Sequence, residues 1–389
     1  MERFDEAVRH GGNLQQLAAR LDCHPGQVLD ASASLVPFGP PPSLRRALHR
    51  ALGSAVFPYP DRGYLALRQA IAQHHGLDAE QVLPGNGAAE LFTWAARDAA
   101  AWRSLLPVPG FLDYPRALAC WDAPFTTLPL RLHWSVPGPL DPVSALAPGL
   151  PRRWLEDPQG AAAAAGGSHG RSGGTALWIT NPHNPTSQLW GRTPLQRLLR
   201  HHDLVIVDEA FLPLVPNGEA HSLIPLLPAH PNLVVIRSLT KQFAMAGLRL
   251  GYALGDPARL QRWQGWRDPW PVNGLAAAVA PTLLADQRWQ RRVHRWVARE
   301  LSPLQQQLNA LAGITALPSA ANYLLLRGER SLLPLRLGLE RQRIVLRDCR
   351  SFVGLDEHWL RLALCRGGEN RRIVRAMGQL LGTIPATAG

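Results

Sequence analysis

The sequence predicts an α/β protein of two lobes, organised on an open sheet whose strand ends gather polar residues along one edge. The chain has 389 residues, 46% of them hydrophobic, which is too long for one small domain and enough for two packed cores. Short apolar runs such as QVL, ALWIT, LVIV and LVVI are separated by helical patterns. Three of them, at residues 176–180, 204–207 and 233–236, lead into polar segments that hold Asn184, Asp208 and Lys241.

In chain order, a turn at His10, Gly11, Gly12 and Asn13 precedes a helix from about Leu14 to Leu21. Residues 30–42 are extended and proline-rich, and Ser43 is the expected N-cap of a helix through Leu52. In FPYPDRGYLALRQAIAQHHGL, Leu65, Leu67, Ile71 and Leu77 mark a helix entered through Asp61 and Gly63, opened by Tyr64 and stopped at Gly76. QVLPGNGAAELFTWAARDAA reads as a strand, a glycine turn and a helix starting near Ala88. Gly85 and Gly87 permit a sharp turn there, and the helix start aims unpaired amides outward, so the turn can cup a phosphate. Many such turns bind nothing. Phe111, in a Pro-Gly-Phe loop, is either a core ring or a platform for a ligand. Residues 159–174, QGAAAAAGGSHGRSGG, are low in complexity and are expected to be a surface insertion without chemistry.

Bulk composition excludes several classes. Lys and Arg number 41 against 29 Asp and Glu, a net charge of +12 that attracts nucleic acid, anionic membrane or acidic metabolites alike. The densest arginine patch, Arg291, Arg292, Arg295 and Arg299, lies opposite Val293, Trp296 and Val297 at helical spacing and reads as a solvated face. Four scattered cysteines without a CxxC spacing predict neither a metal site nor disulfides. No apolar run is long enough to span a membrane, and the acidic start MERFDEAVRHGG is not a signal peptide, so the expected location is the cytoplasm.

The chemistry concentrates in SLTKQFAMAGLRLGY. Lys241 sits just past a strand end, with the Ser238 hydroxyl before it and the Arg249 guanidinium after it, both suited to a phosphate. A lysine beside an anion pocket points to a Schiff base with a phosphorylated aldehyde cofactor. Asp208, at the end of the strand before, is either an N-cap or a ligand group. Together with the amide of Asn184, these residues can hold an electron-accepting ring: the lysine covalently, the carboxylate at its nitrogen and the amide at its phenolic oxygen.

On those motifs the sequence resembles the aspartate-aminotransferase fold type (fold type I) of pyridoxal 5'-phosphate enzymes, near the branch of histidinol-phosphate aminotransferase and threonine-phosphate decarboxylase. The resemblance implies a large domain, residues 45–281, with a mixed, mostly parallel seven-stranded sheet, and a smaller α+β domain formed by residues 1–44 and 282–389. By it, Lys241 and Asp208 are catalytic and Asn184 contacts the cofactor. Ser238, Arg249 and the turn Asn86, Gly87, Ala88 form the phosphate cup, and Phe111 stacks on the ring. Tyr64, after YPDRG, resembles the tyrosine that reaches the cofactor phosphate of a partner subunit, which implies a homodimer. Ser187 stands where the family normally has glycine and is expected to matter little.

Both chain ends decide the reaction. HGGN, PGNGAAE, VPGF, PWPVNGLAA, ANYLLLR and LRDCRSFVGL resemble the decarboxylases, and His10, Gly11, Arg347 and Arg361 then hold the substrate. Ser34 replaces an asparagine of the family's SxNxNP segment as a possible substrate donor, whereas Val36 cannot hydrogen-bond there. The implied reaction is decarboxylation of L-threonine O-3-phosphate to (R)-1-amino-2-propanol O-phosphate in cobalamin synthesis. Transamination of histidinol phosphate or a related amino acid is the alternative, and a non-catalytic protein of the same fold a third. The expected partners are a phosphorylated amino acid and a second copy, without nucleic acid, membrane or metal.

Overall fold

The computed structural model describes residues 11–146 and 174–382, so His10 and positions 159–173 of the expected insertion lie outside the described residues. The strands fall into two sheets. In chain order, β1 (Leu29–Ala31) belongs to the smaller sheet. The larger comprises β2 (Val82–Asn86), β3 (Arg103–Val108), β4 (Phe125–Pro129), β5 (Thr175–Thr180), β6 (Leu204–Asp208), β7 (Leu233–Ser238) and β8 (Leu250–Gly255). Then β9 (Ile314–Ala316), β10 (Tyr323–Gly328), β11 (Ile344–Asp348) and β12 (Trp359–Ala363) complete the smaller one.

The seven-stranded sheet has the order β2-β8-β7-β6-β5-β3-β4, and only β8 runs against its neighbours. It is the mixed, mostly parallel sheet that the sequence predicts. Every residue of β5, β6 and β7 is buried, as expected for central parallel strands covered on both faces. Parallel alignment also explains why their last residues share one edge: Thr180 pairs with Asp208, and Asp208 with Ile236.

The smaller sheet has the order β1-β11-β12-β10-β9. Its first strand comes from the N-terminal segment and pairs in parallel with β11, so both ends of the described chain meet there. Between β11 and β12, Arg347 lies directly opposite Arg361. The helix Gln287–Asn309 covers this region, burying Trp289, Val293, Trp296 and Val297 while Arg291, Arg292, Arg295 and Arg299 stay exposed. Each large apolar side chain so buried contributes roughly 1.5–3 kcal/mol.

Two local expectations change. The helix Pro42–Ala55 is entered through Pro41, and Ser43 is not its cap: its hydroxyl donates to Asp286 Oδ2 at 2.6 Å, bracing the N-cap of the long helix. Ser187 does matter. It holds φ 61, its Oγ accepts from Ala321 N–H at 2.9 Å and lies 2.7 Å from Ser319 Oγ, tying the loop after β5 to the segment before β10. Those bonds offset the cost of a left-handed non-glycine residue.

Candidate active site

The ends of β5, β6 and β7 open into a cleft of about 200 Å³. Asp208, the last residue of β6, is 5% exposed and lines it. Its Oδ1 accepts from Ala210 N–H at 2.9 Å, and its Oδ2 accepts from the Tyr114 hydroxyl at 2.8 Å. Burial lifts the Asp208 carboxyl to about 6, against the downward pull of these two donors and of the Lys241 charge.

Lys241 occupies the single turn Leu239–Gln242, which begins at Ser238 because that hydroxyl accepts from Thr240 N–H. Burial, and next the charge of Arg361, bring its ammonium down to about 8, with Asp208 opposing. A neutral, nucleophilic amine is therefore accessible near neutral pH. Lys241 Nζ lies 5.6 Å from the centre of the Phe211 ring, a contact that offers no hydrogen bond.

The opposite end of the cleft suits an anion. The helix Gly87–Ala99 starts there, and its first-turn amides have no partner within the helix. Gly87 holds φ +74, and a Cβ on it would stand 2.5 Å from Arg249 Nη2, so glycine lets that guanidinium lie across the turn. Ala88, Ala89, Ser238, Thr240 and Arg249 line this part of the cleft.

The other wall comes from the chain ends. Arg347 and Arg361 are both buried and both line the cleft. Arg361 Nη1 donates to Asn184 Oδ1 and Nη2 to the Ser32 carbonyl, and it makes no ion pair among the described residues. Burial and the neighbouring Arg361 charge lower the Arg347 guanidinium to about 10; burial lowers that of Arg361 as well. Ser34 Oγ and Arg361 Nε are buried with no hydrogen-bond partner among the described residues. Gly11 closes the cleft against Ser32, where a Cβ would stand 2.5 Å from the Ser32 carbonyl oxygen.

The cleft thus gathers Gly11, Ser34, Ala88, Phe111, Asn184, Asp208, Ser238, Lys241, Arg249, Arg347 and Arg361. Asn86 and Gly87 flank it without lining it, and the Asn86 N–H is occupied by Glu90 Oε2 at 2.6 Å. Tyr64 does not line this cleft: it is 3% exposed, and its hydroxyl both donates to the Val272 carbonyl at 2.8 Å and accepts from Val272 N–H at 3.1 Å. Tyr59, before the same turn, is 78% exposed and stacks on Trp270 at 4.6 Å. Sequence reasoning also missed Tyr114, Thr240 and Phe352; Phe352, in SFVGL, was the most accessible, since it follows the Arg347 motif.

Residues 27–377 match the family model for aminotransferase class I and II. The chain belongs to that family. Among its class I and II relatives, threonine-phosphate decarboxylase of Salmonella typhimurium is 35% identical over 99% of this chain and 100% of its own. The adenosylcobalamin biosynthesis bifunctional protein of Leptospira interrogans is 24% identical over 95% of this chain, which spans 41% of that longer protein. The fold is shared with histidinol-phosphate aminotransferase from Sinorhizobium meliloti, solved in complex with pyridoxal-5'-phosphate, at TM-score 0.78 and 20% identity over 98% of both chains.

Proposed function

We propose that this protein is a pyridoxal 5'-phosphate-dependent decarboxylase that converts L-threonine O-3-phosphate into (R)-1-amino-2-propanol O-phosphate and carbon dioxide, for the nucleotide loop of cobalamin. The donor set fits the cofactor: helix amides, two hydroxyls and Arg249 for its phosphate, an accessible amine at Lys241, and a buried carboxylate at Asp208. Asn184 and Phe111 complete that holder, with the Asn86–Gly87–Ala88 turn shaping it. When bound, the cofactor supplies an electron sink for the pair left at Cα as carbon dioxide departs.

The observation that carries the substrate class is Arg361, a buried guanidinium without a carboxylate partner among the described residues, opposite Arg347 across β11 and β12. A buried guanidinium such as that of Arg361 is costly without a counter-ion and is stabilised by an anionic ligand. In this reading Arg361 and Arg347 seize the substrate carboxylate and orient the bond to Cα, while Gly11 and Ser34 bound the space for the remainder. Lys241, with its ammonium near 8, returns a proton to Cα. The active protein is a homodimer in the cytoplasm. It pairs through the exposed ridge of Leu52, Val56, Phe57 and Tyr59, an apolar surface that water alone covers poorly. Residues 45–281 form the cofactor domain, and residues 1–44 with 282–389 the domain that bears on the substrate.

Among the described residues no helix is long and apolar enough to cross a membrane. The test is incubation with pyridoxal phosphate and L-threonine O-3-phosphate. Carbon dioxide release without any keto acid is the expected result; transfer of the amino group to 2-oxoglutarate without carbon dioxide identifies an aminotransferase instead.

A further inference from the structure

Asp208 is not held by its own strand alone. The helix Asp113–Ala119 drives Tyr114 under the sheet edge, where its ring meets Phe92 edge-on at 5.0 Å, Phe111 at 5.6 Å and Trp178 at 5.3 Å. Its hydroxyl lies 2.8 Å from Asp208 Oδ2 and 2.7 Å from Thr180 Oγ1. A phenol has one proton to give. Asp208 as an anion can only accept, so the Tyr114 proton goes to Oδ2 and the Thr180 hydroxyl donates to the Tyr114 oxygen. This orders a directed chain, Thr180 to Tyr114 to Asp208, all three residues buried. With Ala210 N–H on Oδ1, each carboxylate oxygen has one fixed donor and one lone pair left for a ligand.

We propose that Tyr114 is a positioning residue which, backed by Thr180, holds the Asp208 carboxylate anionic and aimed at the cofactor's ring nitrogen. The clause about the ring nitrogen rests on the function proposed above; the relay itself does not. The same ring ties this carboxylate to Phe111, so the ring platform and the anion are set by one side chain. Burial pushes the Asp208 carboxyl toward neutrality, and the Tyr114 bond is among the forces that oppose it. The other groups that bear on Asp208 are Lys241, whose charge favours the anion, and Glu209, whose charge disfavours it and is itself paired with Arg237 at 2.7 Å. Tyr323 also feels the Asp208 charge, and Tyr114 itself stays neutral because burial and Asp208 raise its own ionisation.

The test titrates the Asp208 carboxyl carbon by NMR in cofactor-free, carbon-13 aspartate-labelled protein, with the signal assigned by its loss in Asp208→Asn. Tyr114→Phe keeps the ring and its packing and is expected to move the titration upward by about one pH unit or more. Thr180→Val is expected to move it the same way but less, and Thr180→Ser to restore the wild-type value. An unchanged titration in Tyr114→Phe overturns the relay, because packing alone predicts that result; so does a shift in Thr180→Ser as large as in Thr180→Val. Pyridoxal phosphate affinity, read by tryptophan quenching, separates the two readings. If Asp208→Asn binds the cofactor as tightly as wild type while the carboxyl shifts persist, the relay stands and the role assigned to Asp208 fails. If Tyr114→Phe is poorly folded by circular dichroism, the Thr180→Val and Thr180→Ser pair decides alone.

Discussion

On the wall built from β5, β6 and β7, the polar groups reach the cleft already bonded: Asp208 to Ala210 and Tyr114, Ser238 to Thr240, Glu209 behind them to Arg237, Ser222 and Leu223. On the wall built from the chain ends, Ser34 Oγ and Arg361 Nε have no partner among the described residues, and two guanidiniums face one another across a strand pair. A finished wall suits a group that stays bound through many turnovers, since pre-set dipoles cost no reorganisation. A wall with unspent donors suits a group that comes and goes, because an arriving anion relieves what the empty site pays.

The largest effect should come from the finished wall. On the proposed function Lys241→Ala removes both the attachment point and the proton donor, and carbon dioxide release from threonine phosphate should fall by about 10⁴-fold or more. Next comes Arg361→Met, which removes one buried charge lining the cleft. It should lower kcat/KM on the order of 10²- to 10³-fold, mostly through KM, while cofactor binding persists. Equal losses in cofactor and substrate affinity would erase the distinction between the walls.

The pH dependence of cofactor capture should reflect the Lys241 amine. With its ammonium lowered to about 8, the neutral form increases about tenfold for each pH unit below that value and levels off above it. Stopped-flow absorbance of pyridoxal phosphate capture should therefore climb between pH 6 and 8, flattening only above. A rate still climbing past pH 9 would mean that the lysine keeps its ordinary basicity. The smallest effect should be Ser34→Ala. The hydroxyl makes no bond among the described residues, so thermal stability without ligand should not drop, while KM should rise about fivefold for a lost bond of about 1 kcal/mol.

The finished wall was also the more legible one. Asn184, Asp208 and Lys241 follow buried β-branched runs, and in a parallel sheet such runs must end together, so sequence order alone brings them to one edge. The chain-end wall depends on β1 joining β11, a pairing between distant segments that no local pattern announces. Arg347 and Arg361 were found through motif resemblance rather than through their packing. Tyr64 and Tyr59 flank one turn, and the sequence does not say which ring turns inward; the left-handed backbone at Tyr64, φ 47, buries it against Val272. Tyr114 carries no sequence signal because its chemistry lies in one tertiary hydrogen bond. Ser187 was dismissed because its partners, Ser319 and Ala321, lie in the other half of the chain.

On the proposed function these two walls together break the bond from Cα to the carboxylate. The most direct measurement follows L-threonine O-3-phosphate, labelled with carbon-13 at the carboxylate, in heavy water with added pyridoxal phosphate and no keto acid. The account predicts one labelled carbon dioxide per amine formed, with a single deuteron at the former Cα. Recovery of the label in a keto acid, or loss of the amino group to 2-oxoglutarate with the carboxylate intact, would contradict it.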